Sequence, residues 1–356
     1  MRERPSRGGR DVRDTTGNPK GVMLTHRNLL FSARVMGALR GPADKAYCVL
    51  PISHIVGYSG VLIASLMAGA AVQLVPRYDP AALVSAIAND GITLIFGVPA
   101  TYQRLLECKA VAGIEKLPPG KLRRLAVAGA RLDVALKSRI EAEFGLQLSN
   151  GYGITECSPA IAGVRAETPR SDDAVGSLII GIEARLVKPG DGAVASGEIG
   201  ELHVRGPNVM RGYYRNPEAT ASAIDADGWF NTGDLARLED DILYIVGRTK
   251  ELIIRSGFNV YPPEIEAVLN EHPAVAQSAV IRWPVRGNEE VIAYVQLFPG
   301  LAATPSDLVA HATRLLAPYK RPSEKIVLDA LPVASTGKIL KHLLADAARD
   351  RAISQV

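Results

Sequence analysis

The sequence predicts an α/β protein: a layered α/β large domain carrying a small β-barrel subdomain, followed by a compact α+β C-terminal domain. Three textures predict it. Up to about Asn150, helical and strand patterns alternate, the rhythm of a sheet covered by helices on both faces. From about Ser177 to Val246, short apolar runs sit between Gly, Pro and Asp clusters, which reads as a small antiparallel barrel or sandwich. From Lys250 to the end, helices and strands mix over about a hundred residues, the size of one compact unit. A chain of 356 residues suits about two domains.

The elements follow in order. Thr25 is placed to cap an amphipathic helix over "HRNLLFSARVMGAL", and "AYCVL" reads as a strand. The uncharged stretch from Ile55 to Val75 has the length of a membrane span. However, Gly57, Ser59, Gly60, Ser65, Gly69 and Gln73 interrupt it, and "MAGAA" reads as a break between a buried helix and a buried strand "AVQLV". Then come the helix "PAALVSAIAND", the strand "ITLIFG", the helix "PATYQRLLECKAV", the strand "LRRLAVAG", the helix "DVALKSRIEAEFG" and the short strand "LQLSN". "IEARLV", "GELHVRG" and "ILYIVG" are the strands of the second texture. "GRTKELIIRSGFN", charged and bounded by Gly, is the place for a hinge. Beyond it, "PEIEAVLNEH", "SDLVAHATRLL" and "GKILKHLLADAARD" read as helices, and "AQSAVIRWP" and "VIAYVQLF" as strands.

Composition narrows the function. Apolar residues make up 47% and charged residues 22%, the balance of an ordinary globule. A net charge of +4 suits an anionic substrate, but no basic face with interleaved aromatics points to nucleic acid, and aromatics are only 5%. Cys48, Cys108 and Cys157 are too scattered for a disulfide framework or a zinc pattern, so they read as reduced thiols of a cytoplasmic protein. The N-terminus is Arg-rich without an apolar core, so it does not read as a secretory signal.

The chemistry begins with "TTGNPKG". It lacks the Walker A spacing but has the physics of a phosphate turn. Thr15 and Thr16 offer hydroxyls, Gly17 and Gly21 allow amide groups to turn toward an anion, and Lys20 brings a positive charge. In "SNGYGITECSPA", Tyr152 has a face that can stack on a purine, Thr155 can donate to a phosphate oxygen, and Glu156 can hold Mg²⁺. "GWFNTGDLA" brings Asp234, suited to ribose hydroxyls, and "GRTKELIIRSGFNVYPPEIE" brings Arg248 for ribose or phosphate. "PVASTGKILK" sets Lys338 on a Gly turn that opens the last helix. Helix N-termini are already positive, so a lysine there makes sense with an anion nearby. His54 reads equally as a satisfied core histidine or a site residue.

With these motifs in this order, the chain resembles the adenylate-forming superfamily of acyl-CoA synthetases, peptide-synthetase adenylation domains and luciferases. The resemblance runs from Thr15 to about Leu344, and "NVYPPEIE" and "STGKILK" look more like acyl-CoA synthetases. It implies that Thr15, Thr16, Gly17 and Lys20 cover the ATP β- and γ-phosphates. Gly129, Asn150, Gly151 and Tyr152 would line the adenine pocket. Thr155 would touch the α-phosphate, Glu156 would bind Mg²⁺, and Asp234 and Arg248 would hold the ribose. Lys338 would be the catalytic lysine of the first half-reaction, and Lys250 matches the family's hinge. Ser256 and Gly257 would line the pantetheine tunnel, and His54 would sit near the acyl carboxylate. Walls near Gly57, Val98, Gly129 and Cys157 would set the acid. The implied substrates are ATP, coenzyme A and a fatty or aryl carboxylic acid, with Mg²⁺ as cofactor. The implied division is 15–249 as a partial AMP-binding large domain, its barrel subdomain about 177–246, and 250–356 as a mobile C-terminal domain.

One region departs from that pattern. Members of the family carry a strand and small polar residues ahead of the loop, and much of the large domain before them. Here "MRERPSRGGRDVRD" reads as no strand, and Arg13 and Asp14 stand where small residues are expected. Residues 1–14 are therefore expected to be a disordered segment foreign to the family, and the large domain to be incomplete at its N-terminus. A truncated or frameshifted gene is one origin; a short protein completed by a partner chain or a homo-oligomer is another. The alternatives to an acyl-CoA synthetase are an impaired or inactive fragment of one, and an adenylating enzyme that loads a carrier protein.

Overall fold

The computed structural model describes residues 10–13, 19–188, 194–333 and 339–353. Their chain divides into two compact units. One takes in residues up to Thr232 together with Ala236–Ile245; the other takes in Gly233–Leu235 and the chain from Val246 on.

The main sheet has eleven strands. Its order is Glu183–Val187, Ile199–Arg205, Phe230–Glu239, Ile242–Arg248, Gly176–Leu178, Ala160–Gly163, Leu148–Gly153, Arg124–Val127, Leu94–Gly97, Lys45–Cys48 and Ala71–Leu74. The last five are parallel. Leu148–Gly153 is where the sheet switches: it lies parallel to Arg124–Val127 and antiparallel to Ala160–Gly163. The second texture of the sequence is thus an antiparallel ladder joined edge to edge with the parallel half.

Helices Pro80–Asn89, Pro99–Val111 and Val134–Phe144 connect the parallel strands. Asp79 caps the first by accepting from the Ala81 amide, and Asp133 caps the third by accepting from the Leu136 amide. Gly145 ends the third at φ 64°, a conformation that favours glycine. Leu83, Ile87, Ile92, Ile95, Leu105, Leu125, Ile140 and Leu148 make the centre of the core.

Two expectations are corrected here. Ahead of the phosphate turn, Arg10–Arg13 is a strand, antiparallel to Pro19–Met23. Pro19–Met23 in turn pairs with Gly212–Tyr213. Backbone pairing needs only a free edge, so a charged tetrapeptide joins a ladder that its side chains do not announce. Second, "AVQLV" is not buried. Ala71–Leu74 is the sheet's edge strand, bonded on one side only, and Leu74 is 53% exposed. The helix before it is a π-helical segment, Val56–Ile63, running into Ala64–Met67, with Leu66 and Met67 exposed. Among the described residues no helix is long and apolar enough to cross a membrane.

The second unit is built on the sheet Val275–Val285, Asn288–Leu297 and Glu324–Leu328. Side chains alternate across a strand, so the sheet has two apolar faces. Val280, Val291, Ala293 and Val295 pack with Ile265 and Leu269 of helix Pro262–Asn270 and Leu308 and Ala312 of helix Pro305–Leu315. Ala279, Ile281, Ile292 and Tyr294 pack with Leu344 and Ala348 of helix Lys341–Ile353. A separate hairpin pairs Ile253–Arg255 with Phe258–Val260.

Candidate active site

Parallel strands deliver their following loops to one end of a sheet, and ligands of such sheets sit outside those carboxyl ends at a switch in strand order. Several of the residues singled out in the first unit follow those strands, whereas Lys20 lies in Pro19–Met23 of the separate three-stranded sheet. Arg124–Val127 leads to Gly129, Leu94–Gly97 to Val98, and Lys45–Cys48 to His54. Leu148–Gly153 contains Asn150, Gly151 and Tyr152 and leads to Thr155 and Glu156.

The local reasons are specific. Asn150 is buried, and its side-chain amide donates to the carbonyls of Asp173 and Ala174 at 3.2 and 3.1 Å. Those donors stitch the loop to the strand. Gly153 has no room for a side chain, because a Cβ would lie 2.0 Å from the Pro159 carbonyl oxygen. Gly129 adopts φ +88°, and a Cβ there would come within 3.5 Å of Val98 Cγ1. The structure therefore brings together two of the four expected pocket walls. The other two are packed: a Cβ on Gly57 would meet the Pro51 carbonyl oxygen at 2.4 Å, and Cys157 is fully buried. His54 accepts the Val56 amide on Nδ1 at 3.3 Å, and its carbonyl accepts the Tyr58 amide at 2.9 Å as the π-helical segment begins.

Glu156 lies in the turn Thr155–Cys157 and is 9% exposed. The Tyr213 hydroxyl donates to its Oε1 at 3.0 Å, and the Met210 amide donates to its carbonyl at 2.7 Å. Ser158, at φ 66°, closes the turn and donates to the Asn208 carbonyl at 2.9 Å. The carboxylate is thus fastened to the segment 208–213. Strand Gly212–Tyr213 pairs with the strand that carries Lys20, and the Lys20 ammonium stands 5.1 Å from the centre of the Tyr213 ring. Lys20, Tyr213 and Glu156 form one connected group. Tyr213 escaped the sequence reading. In "RGYYRNP" nothing distinguishes it from Tyr214, which is 57% exposed.

In the second unit Asp234 is buried and forms an ion pair with Arg248, Oδ1 to Nε 3.1 Å. The two expected ribose ligands are therefore side by side. Lys250 lies in the short turn Thr249–Glu251. Ser256 and Gly257 are the two turn residues of the hairpin, at φ 52° and 82°, and the Asn288 side-chain oxygen accepts the Ser256 amide at 2.7 Å. Thr15, Thr16, Gly17 and Lys338 lie outside the described residues.

The donor set at Glu156 fits magnesium. Among the described residues no three His, Cys, Asp or Glu converge as a metal cage. A lone, oriented carboxylate matches a cation that takes one or two protein oxygens and fills its shell with phosphate and water.

Comparison with known proteins supplies an independent view. Residues 15–214 match the family model described as AMP-binding enzyme, and residues 264–338 match that described as AMP-binding enzyme C-terminal domain. The chain is 33% identical over 343 residues to 4-coumarate–CoA ligase 5 of Oryza sativa subsp. japonica, an alignment covering 92% of this chain and 63% of that protein. It is 34% identical over 340 residues to a long-chain-fatty-acid–CoA ligase of Bacillus subtilis (strain 168), covering 93% and 60%. The chain thus spans about three-fifths of the length of these relatives. Its fold superposes on the ATP-bound crystal structure of MatB from Rhodopseudomonas palustris with a TM-score of 0.87 at 32% identity, covering 97% of this chain and 69% of that one.

Proposed function

The chain belongs to the AMP-binding enzyme family, and from that premise we propose that it is an ATP-dependent acid–thiol ligase that activates a fatty or aryl carboxylic acid and passes it to coenzyme A. The observation that carries this reading is the buried Glu156 carboxylate, held by Tyr213 beside Lys20 at the carboxyl ends of the parallel strands. The names of the two relatives, one for an aryl acid and one for a fatty acid, support the substrate class. Cys48, Cys108 and Cys157 form no disulfide, which suits a cytoplasmic setting.

A carboxylate is a poor electrophile, and the reaction corrects that in two displacements. The acid's oxygen attacks the α-phosphorus of ATP, the bond to the β-phosphate bridging oxygen breaks, and pyrophosphate leaves. A thiol, losing its proton, then attacks the acyl carbonyl, and AMP leaves. In the first step two anions meet. Lys20 and Lys338 supply positive charge for the phosphates and the attacking acid, and Thr155 donates to the α-phosphate. Glu156 would hold Mg²⁺, which neutralises phosphate charge when bound. Gly129, Asn150, Gly151 and Tyr152 form the adenine pocket, and Asp234 and Arg248 take the ribose. In the second step the domain 250–356 turns about Lys250, withdrawing Lys338 and presenting Ser256 and Gly257 to the pantetheine arm.

ATP–pyrophosphate exchange with a panel of fatty and aryl acids tests the proposal, with CoA thioesters identified by mass spectrometry. Exchange with at least one acid is expected; no exchange with any acid, from folded protein, removes it. Tyr213→Phe gives a finer check. Loss of one hydrogen bond to a charged group costs about 1.5–3 kcal/mol. The variant should therefore need about ten times more Mg²⁺ for half-maximal exchange, with little change in the acid's KM. An unchanged Mg²⁺ dependence would show that Tyr213 does not orient the carboxylate.

A further inference from the structure

The second unit contains a buried charge cluster that the proposed chemistry does not use. Lys341, the first residue of the last helix, places its ammonium 2.8 Å from Glu251 and 2.8 Å from Glu266. Glu251 ends the turn Thr249–Glu251 that contains Lys250. Glu266 belongs to helix Pro262–Asn270 and also accepts the Val280 amide at 2.7 Å, which ties it to the central sheet. All three side chains are mostly shielded from water. Burial by itself lowers the Lys341 pKa, but the charges of Glu266 and Glu251 and hydrogen bonds to both outweigh it, and the net shift is upward. A lysine opening a helix meets an already positive end, so the two carboxylates are what make the position favourable.

The same residue stands at the foot of a closed stem. Val333 and Ile339 form an antiparallel bridge, and the Leu340 amide donates to the Pro332 carbonyl at 2.8 Å. The two arms that flank residues 334–338 are therefore fastened to each other, and Lys341 fastens their base to the hinge turn and to the sheet. Lys338 lies three positions before Lys341 in the sequence.

We propose that Lys341 is a positioning residue for Lys338: its two ion pairs fix the paired residues Pro332–Val333 and Ile339–Leu340, between which Lys338 falls in the sequence, to the hinge turn. A consequence for the hinge follows. Glu251 is tied through Lys341 to Glu266 of helix Pro262–Asn270, so a turn of the domain 250–356 would pivot before Glu251, at Lys250. This rests on the reading of Lys338 and Lys250 given above.

The test compares Lys341→Met with Lys341→Arg in the full chain, with three readouts: ATP–pyrophosphate exchange, thioester formation from supplied acyl-adenylate, and hydrogen exchange of the Leu340 amide. Misplacing a catalytic group by about an ångström costs on the order of 100-fold. Lys341→Met should therefore slow pyrophosphate exchange by about that factor, leave thioester formation near wild type, and speed Leu340 hydrogen exchange. Lys341→Arg should restore all three, because a guanidinium fork can hold both carboxylates. Glu251→Gln, which removes one ion pair and keeps the volume, should act in the same direction more weakly, and it carries the test if Lys341→Met does not fold. Unchanged pyrophosphate exchange, equal loss in both half-reactions, or unaltered Leu340 protection would overturn the proposal. If the wild-type chain catalyses no exchange, the functional reading falls, and Leu340 protection alone decides whether the clamp exists.

Discussion

Lys338→Ala is expected to slow acyl-adenylate formation by about 10²–10³ while leaving thioester formation from supplied acyl-adenylate intact. The first half-reaction brings an anionic acid to an anionic phosphate, and the developing charge must be met where it appears. Removing one such preorganised charge or donor costs about 10²–10³ in rate. The second half-reaction starts from a neutral acyl carbonyl with AMP already attached as leaving group, so it makes no demand on that ammonium. The asymmetry is the informative part. A lysine that merely stabilised the C-terminal domain would depress both steps together and lower the melting temperature. Equal loss in the two steps would contradict the domain rotation and, with it, the use of Lys250 as a pivot. Adding CoA and acyl-adenylate to the variant, and separately ATP and acid, distinguishes the outcomes by product mass.

How much of this was legible in the sequence depends on whether the deciding interaction is local. The helices starting at Pro80 and at Val134 were readable because their caps, Asp79 and Asp133, and the terminating Gly145 sit within a few residues of the pattern they bound. Tyr152, Thr155 and Glu156 were readable as a motif, yet the Pro159 carbonyl packed against Gly153 in the same segment is a contact that periodicity does not report. Tyr213 was invisible because its partner Glu156 is 57 residues away, and a tyrosine beside a glycine has no local signature. Arg10–Arg13 was misread for a related reason. Its pairing with Pro19–Met23 runs through backbone groups, whereas the pattern of apolar side chains is what a sequence displays. The half-exposed strand Ala71–Leu74 shows the converse error. Apolar composition suggested burial, but burial depends on neighbours, and this strand has only Lys45–Cys48 beside it. Leu74 on that edge, and Leu66 and Met67 before it, are accordingly exposed.

Glu156→Gln should be the most damaging change in the first unit that leaves the fold intact. The amide has the volume of the carboxylate, and its oxygen can still accept the Tyr213 hydroxyl, so the stitch to segment 208–213 survives. Replacing a buried charge by a neutral group also removes a desolvation cost, so the melting temperature should hold or rise slightly. What disappears is the negative charge that suits a divalent cation, and among the described residues no cluster of three or more His, Cys, Asp or Glu offers another cage for it. Pyrophosphate exchange should fall by about 10²–10³, the cost of losing one electrostatic element of such a site, and raising Mg²⁺ should recover little of it. Tyr213→Phe differs in kind. There the charge remains but its orientation loosens, so high Mg²⁺ should restore the rate. The pair of variants therefore separates holding the ion from aiming the ligand. If Glu156→Gln exchanged pyrophosphate at the wild-type rate with the wild-type Mg²⁺ dependence, the metal would have to sit elsewhere, and the role given to this carboxylate would be wrong.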